Sequence, residues 1–220
     1  MPRLLWLLCL VNLIIGTGAF VIGGILAPIA EQLAISVPAA GQAMTAYALS
    51  TALLAPVVLL ATGRWPRKRA LLTALALFTL GNLLCALSNS FATLIAGRVL
   101  MGLGAVFTPI AAGIAVASVE PAKRGKALAL TFLGISLSYV IGVPLGSWLG
   151  LAYEWHTPIW VITGLSLLAL IGAALWVPKD IRAPGASFEG LPALLARRDV
   201  LSVLGLTLAY FTAIFAVFSY

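Results

Sequence analysis

Gly63-Arg64-Trp65-Pro66-Arg67-Lys68-Arg69 sets four positive charges between two apolar runs, and neither residues 32–63 nor residues 70–97 contain an Asp, Glu, Lys or Arg. Each run is long enough to cross a bilayer, whose hydrocarbon core of ~30 Å takes ~20 helical residues. Moving several cations through hydrocarbon costs far more than moving apolar side chains, so a turn of this kind is expected on the cytoplasmic side. Every other loop is oriented from it.

Composition agrees with that reading. The chain of 220 residues is 62% hydrophobic and 9% charged, with a mean hydropathy of +1.13, where soluble domains carry roughly 25% charged residues. This is the signature of an integral membrane protein with room for six or seven spans and little for a soluble domain. The net charge of +7 sits in short loops. It reads as topology, with anionic headgroups as the acidic partner and no nucleic acid. Cys9 and Cys85 lie inside apolar runs without CxxC spacing, which predicts neither a disulfide framework nor a metal site. After Arg3 the apolar run lasts to Ala30, beyond the ~7–15 residues of a signal-peptide core, so a retained first span is expected.

The pattern predicts spans at Leu4–Ile29, Pro38–Thr62, Ala70–Leu87, Ala92–Ser118, Ala127–Leu149 and Pro158–Val177. A linker over 179–199 and a seventh span from Val200 to Tyr220 follow. The abrupt stop at Tyr220 is expected of a truncated chain. Twelve of the thirteen basic residues fall at one face: Arg3; Arg64, Arg67, Lys68 and Arg69; Lys123, Arg124 and Lys126; Lys179, Arg182, Arg197 and Arg198. Loops 30–37, 88–91 and 150–157 carry only Glu31, Glu154 and the titratable His156, for which a solvated surface role is expected. The amino end and the long linker are therefore predicted to be cytoplasmic.

Arg98 is the remaining basic residue and the one formal charge inside a predicted span. It lies ~10 Å below the outer surface at 1.5 Å of rise per residue. Two readings stand open: a functional group facing the bundle interior or a water-filled cavity, or an anchor that snorkels to the headgroups. In span 5, Gly134, Gly142, Gly146 and Gly150 recur at multiples of four around Pro144. Small residues at that spacing let two helices approach closely, and the proline bends the rod. Gly102 and Gly104 thin span 4 in the same way.

These stretches together resemble the major facilitator superfamily, in particular its twelve-span drug and sugar efflux proteins of the arabinose efflux permease type. Gly63 to Arg69 sits where that family has its basic loop between spans 2 and 3. Arg98-Val-Leu-Met-Gly102-Leu-Gly104-Ala resembles its span 4 motif, and Gly142-Val-Pro144-Leu-Gly146 is similar to its antiporter motif. Ala39-Ala-Gly41-Gln42, followed by Thr45-Ala-Tyr47-Ala-Leu, resembles the start of span 2 in the arabinose-efflux branch. The chain also departs from the pattern. Gly63 stands where the basic loop usually has an Asp, Pro66 where it has a Gly, Ala19 where span 1 often has a Glu, and Trp155-His156 where relatives tend to have Trp-Arg. The first two departures touch the charge relay of the cytoplasmic gate.

The resemblance implies an all-α membrane fold. Residues 1–178 would form an amino-terminal six-helix bundle of inverted three-helix repeats, 179–199 a cytoplasmic linker, and 200–220 the first helix of a second bundle. It implies secondary-active efflux of a small molecule by alternating access, with the gate loop at Arg64, Arg67, Lys68 and Arg69, in the inner membrane, and with the missing carboxy-terminal half of the same chain as partner. A Gly-x-Gly-Ala core shared by spans 1 and 4 (Gly16 to Ala19, Gly102 to Ala105) supports the repeat independently. Cavity lining would fall to Asn12, Thr17, Gln42, Thr45, Tyr47, Arg98, Thr108, Ser136 and Tyr139. For the Ser, Thr and Asn residues among them, a bond to their own helix backbone is the competing reading.

Protons are the implied coupling ion, yet a proton carrier needs an Asp, Glu or His within the membrane. All six acids (Glu31, Glu120, Glu154, Asp180, Glu189, Asp199) lie in loops or at span edges, so the carrier is expected in the missing half. Enzyme chemistry is not expected and no cofactor is implied: the spans hold no paired Asp, no Ser with His, no HExxH, and no GxxxxGK[ST] loop. A seven-span receptor or other non-transporting membrane protein is the alternative. A retinal protein is disfavoured because no Lys follows Arg198.

Overall fold

The computed structural model describes residues 3–179, 181, 193 and 195–218. Six helices long and apolar enough to cross a membrane succeed one another: α1 (Arg3–Gln32), α2 (Val37–Ala61), α3 (Arg67–Ala86), α4 (Phe91–Ala117), α5 (Pro121–Ala152) and α6 (His156–Trp176). Ser36 and Ser90 cap α2 and α4, each hydroxyl accepting from the backbone N–H three residues on at 3.3 Å. A further helix, α7 (Arg198–Phe218), lies in a separate compact unit, Gly185–Tyr220. Most of the predicted linker falls outside the described residues. At its end, Arg197 donates to the Asp199 carboxylate at 3.1 and 2.5 Å.

Two spans start markedly earlier than expected: α5 opens at Pro121 instead of Ala127, so Lys123, Arg124 and Lys126, expected in a loop, lie in its opening turns, and α3 opens at Arg67 instead of Ala70. Arg67, Lys68 and Arg69, expected in the turn, form the first turn of the helix instead. Pro66 is its N-cap at φ −52°, and a chain leaving a proline needs no backbone donor there to start winding. Only Arg64 of the predicted gate loop remains in the turn. His156 is corrected in the same way. It opens α6, is half-buried, and its Nε2 lies 2.9 Å from the Ser88 carbonyl.

α1 is the hub of the bundle. Of its most apolar stretch 78% is buried, against 17% in α2 and in α5, so the open apolar faces belong to those two. α1 packs along α5 as α4 packs along α2, while α3 packs along both α4 and α6. These are the contacts of two three-helix units related by a pseudo-two-fold axis, and the glycines mark it. A Cβ on Gly16 would strike Ser138 of α5, and one on Gly102 would lie 2.6 Å from Ser50 of α2. Likewise a Cβ on Gly18 would lie 3.0 Å from Ile162 of α6, and one on Gly104 2.6 Å from the Phe78 N of α3. The α5 ladder meets α1 rung by rung: Gly134 against Cys9 and Leu13, Gly142 against Thr17, Gly146 against Val21, Gly150 against Ile25.

Four helices are broken, each just ahead of a proline, whose missing N–H strands the carbonyl four residues earlier. α1 tightens to a 3₁₀ helix over Val21–Ile25 ahead of Pro28. α2 is interrupted at Leu54 ahead of Pro56, and α4 at Ala105–Val106 ahead of Pro109. α5 widens to a π-helix over Ser138–Gly142 ahead of Pro144. In α3 and α6 the prolines sit only at the amino-terminal ends, and both helices run unbroken.

Candidate functional site

The break in α1 makes the principal polar node. Its regular α-helix ends at Phe20, so Gly18 and Ala19 present their carbonyls as the negative end of a helix dipole. Arg98 of α4 reaches them: Nη1 donates to Gly18 O at 2.9 Å and Nη2 to Ala19 O at 2.6 Å. Nε donates to Ala43 O of α2 at 3.1 Å, and the guanidinium lies 4.7 Å from the centroid of the Tyr47 ring. Only 1% of Arg98 is exposed. The snorkelling reading is therefore excluded, and the residue faces the bundle interior. No carboxylate lies within 4 Å of it among the described residues. Its charge is balanced by carbonyl dipoles and an aromatic face, and three helices are fastened through it.

A second node joins α1, α4 and α5. Asn12, fully buried, donates from Nδ2 to the Thr131 carbonyl at 2.9 Å and accepts at Oδ1 from the Thr108 hydroxyl at 2.9 Å. Sequence reasoning named Asn12 and Thr108 separately; the structure brings them together. Thr17 instead donates to Leu13 O of its own helix at 2.8 Å, the backbone-bonding alternative. Tyr139 is half-buried and stacks on Phe20 at 4.9 Å between centroids. Gln42, Thr45 and Ser136 are exposed on α2 and α5 and join neither node.

Some contributors were not singled out from the sequence. The Gly18, Ala19 and Ala43 acceptors are backbone atoms and carry no side-chain signal. Ser50 donates to the Val99 carbonyl at 2.7 Å, and Ser138 sits against Gly16; each stands six residues ahead of a proline, Pro56 and Pro144, which is the signal that points to them. Among the described residues no group of His, Cys, Asp and Glu is placed to hold a metal ion. The node chemistry is that of positioning helices: Arg98 fastens α1, α2 and α4, and Asn12 fastens α1, α4 and α5.

Residues 8–220 match the sequence model of the Major Facilitator Superfamily. The inner membrane transport protein YdhP of Escherichia coli strain K12 is 32% identical over 207 residues, which is 94% of this chain and 53% of that protein. The chloramphenicol resistance protein of Streptomyces lividans is 34% identical over 193 residues, 87% of this chain and 49% of its own. The crystal structure of the peptide transporter POT in complex with sulfate has the same fold, with a TM-score of 0.73 at 16% identity over 97% of this chain and 46% of that one. The chain thus spans about half the length of the relatives it matches. The matched profile, the relatives and the paired three-helix units agree: the chain belongs to the Major Facilitator Superfamily, whose members are multi-pass membrane transporters and in general not enzymes.

Proposed function

We propose that this chain forms one wall of a secondary-active transporter that exports small molecules by alternating access, coupled to protons, with its basic end and amino terminus in the cytoplasm. The observation that carries the reading is the set of four matched helix breaks in α1, α2, α4 and α5. Interrupted helices in repeat-related positions are where such proteins place a solute site and bend between states. The exposed apolar faces of α2 and α5, which include Leu49, Leu53, Val140 and Leu145, suit packing against a second bundle. That the chain covers about half of its relatives favours the same arrangement. Family membership weighs against the receptor alternative. A relative named for chloramphenicol resistance supports lipophilic, weakly polar solutes as the cargo class, with Tyr47, Thr108 and Tyr139 among the contacts.

The described spans place no Asp or Glu inside the bilayer-crossing stretches beyond their ends, so the titrating acid is assigned to the other half. The test uses inside-out vesicles carrying this chain with and without a co-expressed carboxy-terminal six-helix half, loaded with a pH gradient and offered chloramphenicol. Accumulation only with both halves, collapsed by a protonophore, is expected. Accumulation that ignores the protonophore removes the proton coupling, and concentrative transport by the chain without a partner or dimer removes the half-cavity reading.

A further inference from the structure

At the basic end of the bundle, the start of α3 and Lys179, just past α6, line an open cavity of about 400 Å³, with Pro66, Lys68, Arg69, Leu72 and Thr73 as its other walls. We propose that it is a binding site for the phosphate headgroup of an anionic diacyl phospholipid, separate from the polar nodes around Arg98 and Asn12.

Lys68, Arg69 and Lys179 bring three cations to it. Among the described residues the ion pairs are Lys123 with Glu120 and Arg197 with Asp199, and no carboxylate reaches Lys68, Arg69 or Lys179. Their neighbour Arg67 is spent otherwise: it is buried and donates to the Gly63 and Thr62 carbonyls. The three cavity cations are, by contrast, held ready. Lys68 Nζ uses one donor on the Ala174 carbonyl of α6 at 2.6 Å, which pins the ammonium between the two helices and leaves its other protons for an anion. The Arg69 guanidinium carbon lies over the Trp65 ring, 4.5 Å from its centroid, a contact that uses the ring's π face and leaves N–H donors for phosphate oxygens. Lys179 approaches from three residues beyond the end of α6.

The depth and the apolar half fit a lipid better than a free anion. Lys68 and Arg69 occupy the first turn of a membrane-crossing helix, which is headgroup level, and cations gathered there attract anionic lipid. Leu72 supplies an apolar wall within the cavity. Further along the same two helices Leu80, Leu168, Leu175 and Trp176 are exposed, the last by 71%, a surface for acyl chains with a Trp at the interface. A bare phosphate would use the cations and leave that surface unused.

The test reconstitutes the full chain in nanodiscs of phosphatidylcholine doped with phosphatidylglycerol and reads both the thermal midpoint and the lipid retained in native mass spectra. Phosphatidylglycerol is expected to raise the midpoint and to be retained, whereas inorganic phosphate at the same concentration does neither. Arg69→Ala and Lys179→Ala should each weaken the phosphatidylglycerol response by about fivefold, the effect of one cation near a membrane surface. Lys126→Ala, which removes an exposed cation outside the cavity, should leave it unchanged, and Lys179→Arg should restore it. Because Lys179 lies past the helix end, its loss leaves the bundle folded. An equal loss in Lys126→Ala shows diffuse surface charge, and an equal response to inorganic phosphate shows a free-anion site; either overturns the proposal, as does a wild-type chain indifferent to phosphatidylglycerol.

Discussion

Arg98 and Asn12 hold the same place in the two halves of the bundle. The step along the chain that carries Gly16 to Gly102 and Gly18 to Gly104 also carries Asn12 to Arg98. The slightly longer step from α2 to α5 that carries Ser50 to Ser138 and Pro56 to Pro144 carries Ala43 to Thr131. The Arg98 bond to Ala43 O at 3.1 Å and the Asn12 bond to Thr131 O at 2.9 Å are therefore repeats of one contact. Because the second unit is inverted, Asn12 lies toward the basic end and Arg98 toward the other. Each fastens one parallel pair of helices, and each then makes a contact its counterpart lacks: Arg98, with donors only, takes the α1 carbonyls, and Asn12 accepts from Thr108.

Removing the guanidinium should be costly. Arg98→Ala leaves Gly18, Ala19 and Ala43 without their partner and opens a void beside Tyr47, so a loss of about 3 kcal/mol is expected, in line with hydrogen bonds to charged groups in buried sites. Arg98→Lys should not rescue it, since an ammonium cannot fork across carbonyls of two helices while lying flat on a ring. Tyr47→Phe keeps the ring and should stay within about 0.5 kcal/mol of wild type, whereas Tyr47→Leu loses a cation–π contact of about 1–2 kcal/mol. Thermal unfolding in detergent reads all four. Full rescue by lysine would mean that charge alone matters at this position.

The Asn12–Thr108 bond calls for a double-mutant cycle. Asn12→Leu and Thr108→Val each remove one partner of a 2.9 Å hydrogen bond, and the double variant removes both. A coupling of about 0.6 kcal/mol is expected, the average for side-chain hydrogen bonds between membrane helices. A coupling indistinguishable from zero would show that α1 and α4 are held by packing alone.

Glycines should divide sharply by what stands opposite them. A Cβ on Gly134 would press on the Cys9 carbonyl oxygen and lie 2.8 Å from Leu13 N; these are backbone atoms that cannot step aside without parting α1 from α5. Gly134→Ala should therefore cost about 1–3 kcal/mol. Gly113, inside α4, has nothing within 4 Å of its missing Cβ, and Gly113→Ala should stabilise by up to about 1 kcal/mol through helix propensity. Midpoints that shift in the same direction for both would contradict the close approach of α1 and α5.

The parts of this architecture that sequence reveals are those that leave a mark on side-chain type. Charge cannot sit in hydrocarbon, so Arg64 to Arg69, Lys123 to Lys126 and Lys179 bracket the spans. Backbones cannot touch across a side chain, so the Gly134 to Gly150 ladder announces the α1–α5 contact. The carbonyls that receive Arg98 leave no such mark. Gly18 O and Ala19 O become available only because α1 changes helix type, and the proline behind that change, Pro28, stands several residues further on. The equivalence of Asn12 and Arg98 is hidden for a different reason: an amide and a guanidinium share no resemblance in sequence, and only the bonds to Thr131 and Ala43 show that they do one job. Charge hides the start of α3: Arg67, Lys68 and Arg69 read as a turn, while Pro66 governs the backbone there.

Orientation follows from the same charge argument and is open to direct labelling. Cys9 and Cys85 are both buried, so a single introduced thiol is the accessible one in an otherwise native chain. Arg64→Cys, in the turn before α3, should react with a membrane-impermeant maleimide in inside-out vesicles and stay silent in intact cells. Glu154→Cys, exposed between α5 and α6 at the opposite end, should do the reverse. Basic clusters at 64–69, 123–126 and 179 at one end of the spans, with no Lys or Arg in loops 30–37, 88–91 and 150–157, make an inverted insertion costly, because several cations would have to cross the hydrocarbon together. Labelling of Arg64→Cys from outside the cell would therefore overturn the proposed topology, and with it the direction of transport assigned to the four broken helices.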